Sequence, residues 1–167
     1  QFDDVNHPIN NPFPKDKFEH LLYHKNWIDT VQWHLEDIIR DPAIDPAEAL
    51  TIKTRIDKSN HDRTDLVEKI DDYFMNQFQH VKLQSGARQN SETPAWLLDR
   101  MSILTLKIYH MREQAERKNA NPDHIARCQS KLNILLEQKV DMQQCFDELM
   151  DDLQKGIRKM KLYRQMK

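Results

Sequence analysis

Apolar residues recur at helical spacing along four long stretches of the chain, and prolines separate these stretches. Three of the prolines follow a capping residue, in the pairs Asp45-Pro46, Thr93-Pro94 and Asn121-Pro122. Such pairs are typical of helix starts, because a capping side chain accepts a backbone N–H and proline has none to leave unsatisfied. The predicted helices are 15–40, 46–81, 94–118 and a fourth from 122 towards the C-terminus.

The linkers between these helices favour an all-α fold, an up-down four-helix bundle with a long C-terminal helix. Residues 41–45 and 119–121 are short connections, so helices one and two, and helices three and four, are predicted to be antiparallel neighbours. The proline-containing residues 1–14 are predicted to form an extended N-terminal arm. Residues 15–167 are predicted to form a single helical-bundle domain.

The fourth helix carries a heptad pattern of apolar residues that runs from Ile125 to Met160. A helix of that length extends beyond what a bundle of shorter helices can cover. We therefore predict a homo-oligomer, specifically a homodimer formed through 142–160 on helix four.

Composition narrows the function classes. The chain has 167 residues, with 25 Lys and Arg against 27 Asp and Glu, and this balance argues against a nucleic-acid partner. Its two glycines, Gly86 and Gly156, cannot build a glycine-rich phosphate loop. Cys128 and Cys145 lack the spacing of a disulfide framework, which indicates a reducing compartment and a cytoplasmic location.

Polar residues interrupt the apolar faces of three predicted helices. Arg63 falls in the middle of the apolar face of helix two, and a buried charge there needs a partner. Asp29 or Glu36 of helix one is the expected ion-pair partner, and Asp99 or Ser102 of helix three would complete the network.

Two interpretations of this layer are open. It either fixes the helix register through paired charges, or it lines a polar pocket for a small anionic or sugar-like ligand. The pocket candidates are Asp29, Gln32, Glu36, Asn60, Arg63, Asp99, Arg100, Ser102 and Lys107.

Four acidic residues suggest an alternative interpretation, in which the chain binds a divalent metal. Glu36 and Asp37, followed by Glu68 and Asp71, are similar in spacing to the paired acids of helical nucleotide pyrophosphohydrolases, in which two helices hold magnesium. Glu68, however, projects away from the apolar face of helix two, and helix one lacks a full acidic quartet. The main interpretation therefore includes no cofactor and no metal, and magnesium on these four acids belongs to the alternative.

The last stretch of the chain, 155–167, carries six basic residues and no acidic one. Its apolar members make it partly amphipathic, so one interpretation is contact with an anionic membrane surface, RNA or an acidic partner. The other is a solvated helix end whose lysines interact favourably with the helix dipole.

Three segments resemble an all-helical bacterial family that is a domain of unknown function, common in Bacteroides-like Gram-negatives. They are 33–40, 60–71 and 93–110, and the Asp-Arg-x-Ser-Ile-Leu block at 99–104 is the most specific part. The resemblance covers about 6–149 and supplies no catalytic residues. It implies a connection with cell-envelope glycan assembly, because genes of this family lie near surface-polysaccharide glycosyltransferases.

From these features we expect a non-enzymatic binding or accessory protein with a polar pocket between its helices. Its ligand is expected to be small, and either anionic or sugar-like. The alternative is a metal-dependent hydrolase of a phosphorylated or nucleotide-like substrate, which differs from the main interpretation in binding a divalent metal through its four acids.

Overall fold

A computed structural model describes residues 5–164 of the chain. The helices are α1 (Phe18–Ile39), α2 (Pro46–Phe78), α3 (Pro94–Ala115) and α4 (Pro122–Gln154). Two short strands, β1 (Arg88–Gln89) and β2 (Arg158–Lys159), pair in parallel. The predicted all-α fold with four helices is therefore confirmed, and within the described range no helix is long and apolar enough to cross a membrane.

The predicted helix starts are confirmed by their capping hydrogen bonds. The Asp45 carboxylate accepts two backbone N–H groups of the first turn of α2, at 2.9 and 3.1 Å. The Thr93 hydroxyl accepts one from the first turn of α3 at 3.3 Å, and the Asn121 side chain accepts one from α4 at 2.8 Å. Proline follows each cap, where its missing N–H leaves no donor unsatisfied.

The prediction that helix four continues to Met160 is wrong, because α4 ends at Gln154. Gly156 adopts a positive φ of 69°, a conformation that glycine adopts without the steric strain of a Cβ. The N–H of Gly156 donates to the Leu153 carbonyl at 3.1 Å, and the N–H of Ile157 donates to the Asp152 carbonyl at 2.9 Å. This is the Schellman arrangement that ends many helices, so the basic tail leaves α4 as an extended segment.

The described residues fall into two compact units, one ending at Tyr73 and the other beginning at Phe74, within α2. In the first unit Leu35, Ile52 and Ile56 form a buried cluster. The predicted arm lacks regular structure from residue 7 to 14, and Arg55 donates to the Val5 carbonyl at 2.8 Å. Residues 1–4 of the predicted arm lie outside the described residues, and the single domain over 15–167 stays a prediction.

In the second unit α3 and α4 pack as antiparallel neighbours around one apolar core. Met142, Leu149 and Leu153 of the predicted heptad pattern are buried in the same cluster as Leu97 and Leu104 of α3. We expected the apolar face of helix four to be too long for the bundle to cover. For these three residues of α4 that expectation is wrong, because α3 packs against them. The homodimer through 142–160 stays a prediction.

Candidate functional site

The polar layer of the first unit is centred on Asp29 of α1, whose side chain is fully buried. Lys25, four residues earlier, forms an ion pair with one carboxylate oxygen and is 3% exposed. Arg63 of α2 places its Nε 3.6 Å from the other oxygen, which confirms the predicted ion pair with Asp29. Arg63 is 27% exposed, so it lies at the edge of the layer while Lys25 lies inside it.

A second contact extends this layer by one turn. The Gln32 side chain donates to the Asn60 side-chain oxygen at 2.9 Å. Moving along α1 from Asp29 to Gln32 means moving back along α2 from Arg63 to Asn60, so the two helices are antiparallel, as predicted. The Oε1 atom of Gln32 is buried and accepts no hydrogen bond from the described residues.

The structure places the other candidates of the predicted layer in different surroundings. Glu36 is 37% exposed and pairs with Arg40 at 3.6 Å, so of the two acids predicted as partners of Arg63 it is Asp29 that forms the ion pair. Asp99 is buried on α3, Ser102 is half-buried and Lys107 is exposed. All three lie in the second unit, and their proximity to Arg63 stays a prediction.

The four acids of the alternative interpretation are not gathered into a metal site. Asp37 is 59% exposed and pairs with Arg40 at 3.4 Å, whereas Asp71 is buried on α2 and Glu68 is half-buried. Across residues 5–164 no group of three or more His, Cys, Asp or Glu is arranged to hold a metal ion.

Two histidines on α1 stand close together, with the ring centroids of His20 and His24 6.4 Å apart. The Nδ1 atom of His20 lies 2.8 Å from the Phe13 carbonyl oxygen of the arm. Burial lowers the pKa of His24, and His20 and Lys69 lower it further through charge repulsion. The Asp62 carboxylate opposes this lowering without reversing it.

A polar cleft of about 300 Å³ opens in the second unit, between the start of α3, the end of α4 and the paired strands. Its walls combine apolar side chains with charged ones and include the exposed free thiol of Cys145. In small-molecule sites apolar side chains bury the ligand and polar groups orient it, and this lining, which is mostly polar, contains both kinds. The residues that line it are Asn90, Glu92, Leu97, Arg100, Met142, Cys145, Glu148, Leu149, Asp152 and Arg158.

Two arginines in this polar cleft form hydrogen bonds and ion pairs with neighbouring side chains. Arg100 Nη1 donates to both carboxylate oxygens of Glu92, at 3.0 and 3.1 Å. Arg158 donates from Nε to Asp152 and from Nη1 to the Asn90 side chain, each at 2.8 Å. Guanidinium groups held in this way keep several N–H donors in a planar arrangement, so they can present donors to a ligand without first losing rotamer freedom.

Carboxylates outnumber guanidinium groups in the lining. Glu92, Glu148 and Asp152 face two arginines, which leaves the cleft with one net negative formal charge. Glu148 accepts one hydrogen bond from Gln144 at 2.8 Å, and a carboxylate has about four acceptor positions in all. The cleft therefore offers hydrogen-bond acceptors as well as donors to a bound molecule.

Comparison with known proteins places the chain in a family. Residues 19–162 match the family described as "Protein of unknown function (DUF4254)", which covers most of the chain and all four helices from their first turns. The chain belongs to this family. Neither the curated proteins nor the solved structures contain a match.

The DUF4254 match includes every residue that lines the polar cleft. Of these residues, only Arg100 was a candidate from the sequence. Gly156 was the signal that could have revealed the rest, because a glycine after a long helical pattern indicates a helix end. The turn at Gly156 ends α4, and pairing of β2 with β1 brings Arg158 next to Asn90.

Proposed function

We propose that this chain is a non-enzymatic binding protein that takes a small, neutral, sugar-like ligand in its polar cleft. One observation carries the proposal: a cleft of about 300 Å³ whose lining combines apolar side chains with paired guanidinium donors and carboxylate acceptors. This volume lies at the lower end of the range for ligand pockets, so it suits one or two sugar rings better than a large molecule.

The charge of the lining favours a neutral ligand over an anionic one. Arg100 and Arg158 are each neutralised by a carboxylate, and the third acid leaves the cleft net negative. An anion at either guanidinium would meet a charge that a carboxylate already neutralises, whereas a hydroxyl group can donate to a carboxylate and accept from an N–H at the same time. A polyhydroxylated ligand can therefore hydrogen-bond to both members of each ion pair in the cleft without breaking the pair.

The polar layer of the first unit differs from the cleft, because its central carboxylate is fully buried and paired. Asp29 is enclosed by its two cations, and Lys25 reaches it from within the same helix. Paired charges in such a position specify how α1 and α2 register, as a buried polar group does in other helical packings. We assign this layer to structure and the cleft to binding.

The proposed setting is the cytoplasm of a bacterial cell, in cell-envelope glycan assembly. The support for a reducing compartment is that Cys128 and Cys145 are both free thiols. The bacterial setting and the glycan connection come from the family resemblance. We propose the homodimer through 142–160 separately from ligand binding, because residues of the same segment line the cleft.

Thermal unfolding with a ligand panel tests the proposal. The panel contains neutral mono- and disaccharides, the corresponding sugar phosphates, and Mg²⁺. A neutral sugar at 100 times its Kd should stabilise the fold by about 2.7 kcal/mol. For a chain of this size that corresponds to a rise in Tm of roughly 5–11 °C.

Matched variants locate the binding. Arg100→Gln and Glu148→Gln should each weaken sugar binding by about tenfold or more, since a hydrogen bond to a charged group contributes about 1.5–3 kcal/mol. Lys107→Gln on α3 and Glu137→Gln on α4 remove an exposed charge of the same sign outside the cleft and should leave binding unchanged. Binding of sugar phosphates that depends on Mg²⁺ would instead favour the hydrolase alternative, and equal losses in all four variants would contradict the assignment to the cleft.

A further inference from the structure

An apolar groove of about 210 Å³ lies elsewhere in the second unit, where the end of α2 and the loop after it meet the C-terminal tail. Leu83 is 50% exposed and Met75 is 37% exposed, so part of this apolar surface is in water. Gln79, Arg158 and Lys159 are the polar members of its lining. The apolar members are Met75, Phe78, Val81, Leu83, Leu153 and Met160.

Three lysines on or next to the segments that line this apolar groove have no acidic partner among residues 5–164. In the tail, Lys155 pairs with Asp151 at 2.6 Å and Arg158 pairs with Asp152 at 2.8 Å, which uses the acids at the end of α4. The lysines that follow, 159 and 161, have no carboxylate within 4.0 Å among residues 5–164, and the same holds for Lys82 in the loop. The groove is therefore lined mainly by apolar side chains, and the positive charge of these lysines is not neutralised by a nearby carboxylate.

We infer that this groove and its lysines attach the chain to the surface of an anionic lipid bilayer. In a lipid surface Leu83 can insert among the hydrocarbon chains, while Lys159 and Lys161 pair with the anionic headgroups nearer the water. Tyr163, the next aromatic residue along the tail, is 83% exposed and has the amphipathic ring that prefers the interface. This attachment is independent of what the polar cleft binds.

The shape of the groove favours a lipid surface over an acidic helix of a partner protein. A bound helix needs a row of pockets for residues at positions i, i+3, i+4 and i+7. Here the apolar surface is one small pocket that includes the exposed Leu83, and Tyr163 follows Met160 of the lining three residues later along the tail. Binding to an anionic lipid surface draws on buried apolar area and electrostatic attraction together, and the groove and its lysines supply both.

Co-sedimentation of the full chain with vesicles tests the inference. Vesicles of phosphatidylcholine alone should retain little protein, whereas vesicles with phosphatidylglycerol should retain it at low salt and release it as salt rises. The double variant Lys159→Gln/Lys161→Gln should weaken binding by about 25-fold, since each lysine near the surface contributes about fivefold. Leu83→Ser should also weaken it.

Control variants come from the same chain. Lys131→Gln/Lys139→Gln changes two exposed lysines of α4 that lie outside the groove, and Leu50→Ser changes an exposed leucine of the first unit. Both controls should bind like the unaltered chain. Equal binding to neutral vesicles, equal losses in the controls, or binding of an acidic amphipathic peptide but not of anionic vesicles would each overturn the inference.

Discussion

Replacing Lys25 with methionine should destabilise the protein far more than the same replacement of Lys53. Each lysine pairs with an aspartate four residues later on its own helix, so the sequence spacing and the charges are identical. The side chains of Lys25 and Asp29 are 3% and 0% exposed, whereas those of Lys53 and Asp57 are 55% and 60% exposed. Burial is therefore the variable that separates the two pairs.

Burial sets the expected magnitudes. Removing one partner of a buried pair costs about 3–5 kcal/mol, because the other charge is left in a medium that solvates it poorly. An exposed pair at this helical spacing contributes about 0.3–0.5 kcal/mol. Arg63 should fall between them, because its Nε lies 3.6 Å from Asp29 and 27% of its side chain reaches water.

Urea unfolding followed by circular dichroism measures these differences. With a slope of about 2 kcal/mol per molar, Lys25→Met should lower the midpoint by about 2 M and Lys53→Met by about 0.2 M. The double variant Lys25→Met/Asp29→Leu should recover most of the loss, because it leaves no charge stranded and Arg63 can turn to solvent. Equal losses at Lys25 and Lys53, or a double variant no better than Lys25→Met, would refute this reasoning.

Three further predictions concern the helix end, the pH dependence and the assembly. Gly156→Ala should destabilise the protein by more than about 1–2 kcal/mol, because the positive φ strains any side chain and a Cβ there would overlap the Lys82 carbonyl oxygen. Gly86 also has a positive φ but has open space around it, so Gly86→Ala should lose less stability in the same urea assay. Because folding lowers the pKa of His24, the unfolded state takes up the proton first as the pH falls. The contribution of His24 to stability should therefore be complete above about pH 6.5 and decrease below it. His24→Gln should flatten this dependence in unfolding measured from pH 7.5 to 5. Light scattering at tens of micromolar should report a dimer if 142–160 is an interface, and a monomer would end that prediction.

Features that depend on neighbouring residues were predictable from the sequence. A cap followed by proline located the starts of three helices, because the unsatisfied donors of the first turn are the same in every helix. The need of Arg63 for an acidic partner on helix one was also predictable, because a buried charge needs one, but the choice between Asp29 and Glu36 was not. Lys25 was visible in the same apolar stripe but was not assigned to the pair.

Features that depend on distant residues were not predictable in this way. The heptad pattern continues past Gln154, and only the backbone preference of Gly156 marks where the helix ends. Strands of two residues leave no periodic signal, yet their pairing brings Asn90 and Arg158, far apart in the chain, within hydrogen-bonding distance. The cleft was therefore missed although Arg100 was a candidate.

Backbone amide NMR of the full chain, titrated with neutral mono- and disaccharides, tests the assignment of binding to the polar cleft most directly. At least one sugar should shift the amide resonances of Asn90, Arg100 and Glu148 in a saturable way, and leave those of Gln32 and Asn60 in the first unit unchanged. Saturable shifts confined to Gln32 and Asn60, or shifts in the cleft only with sugar phosphates and Mg²⁺, would contradict the account.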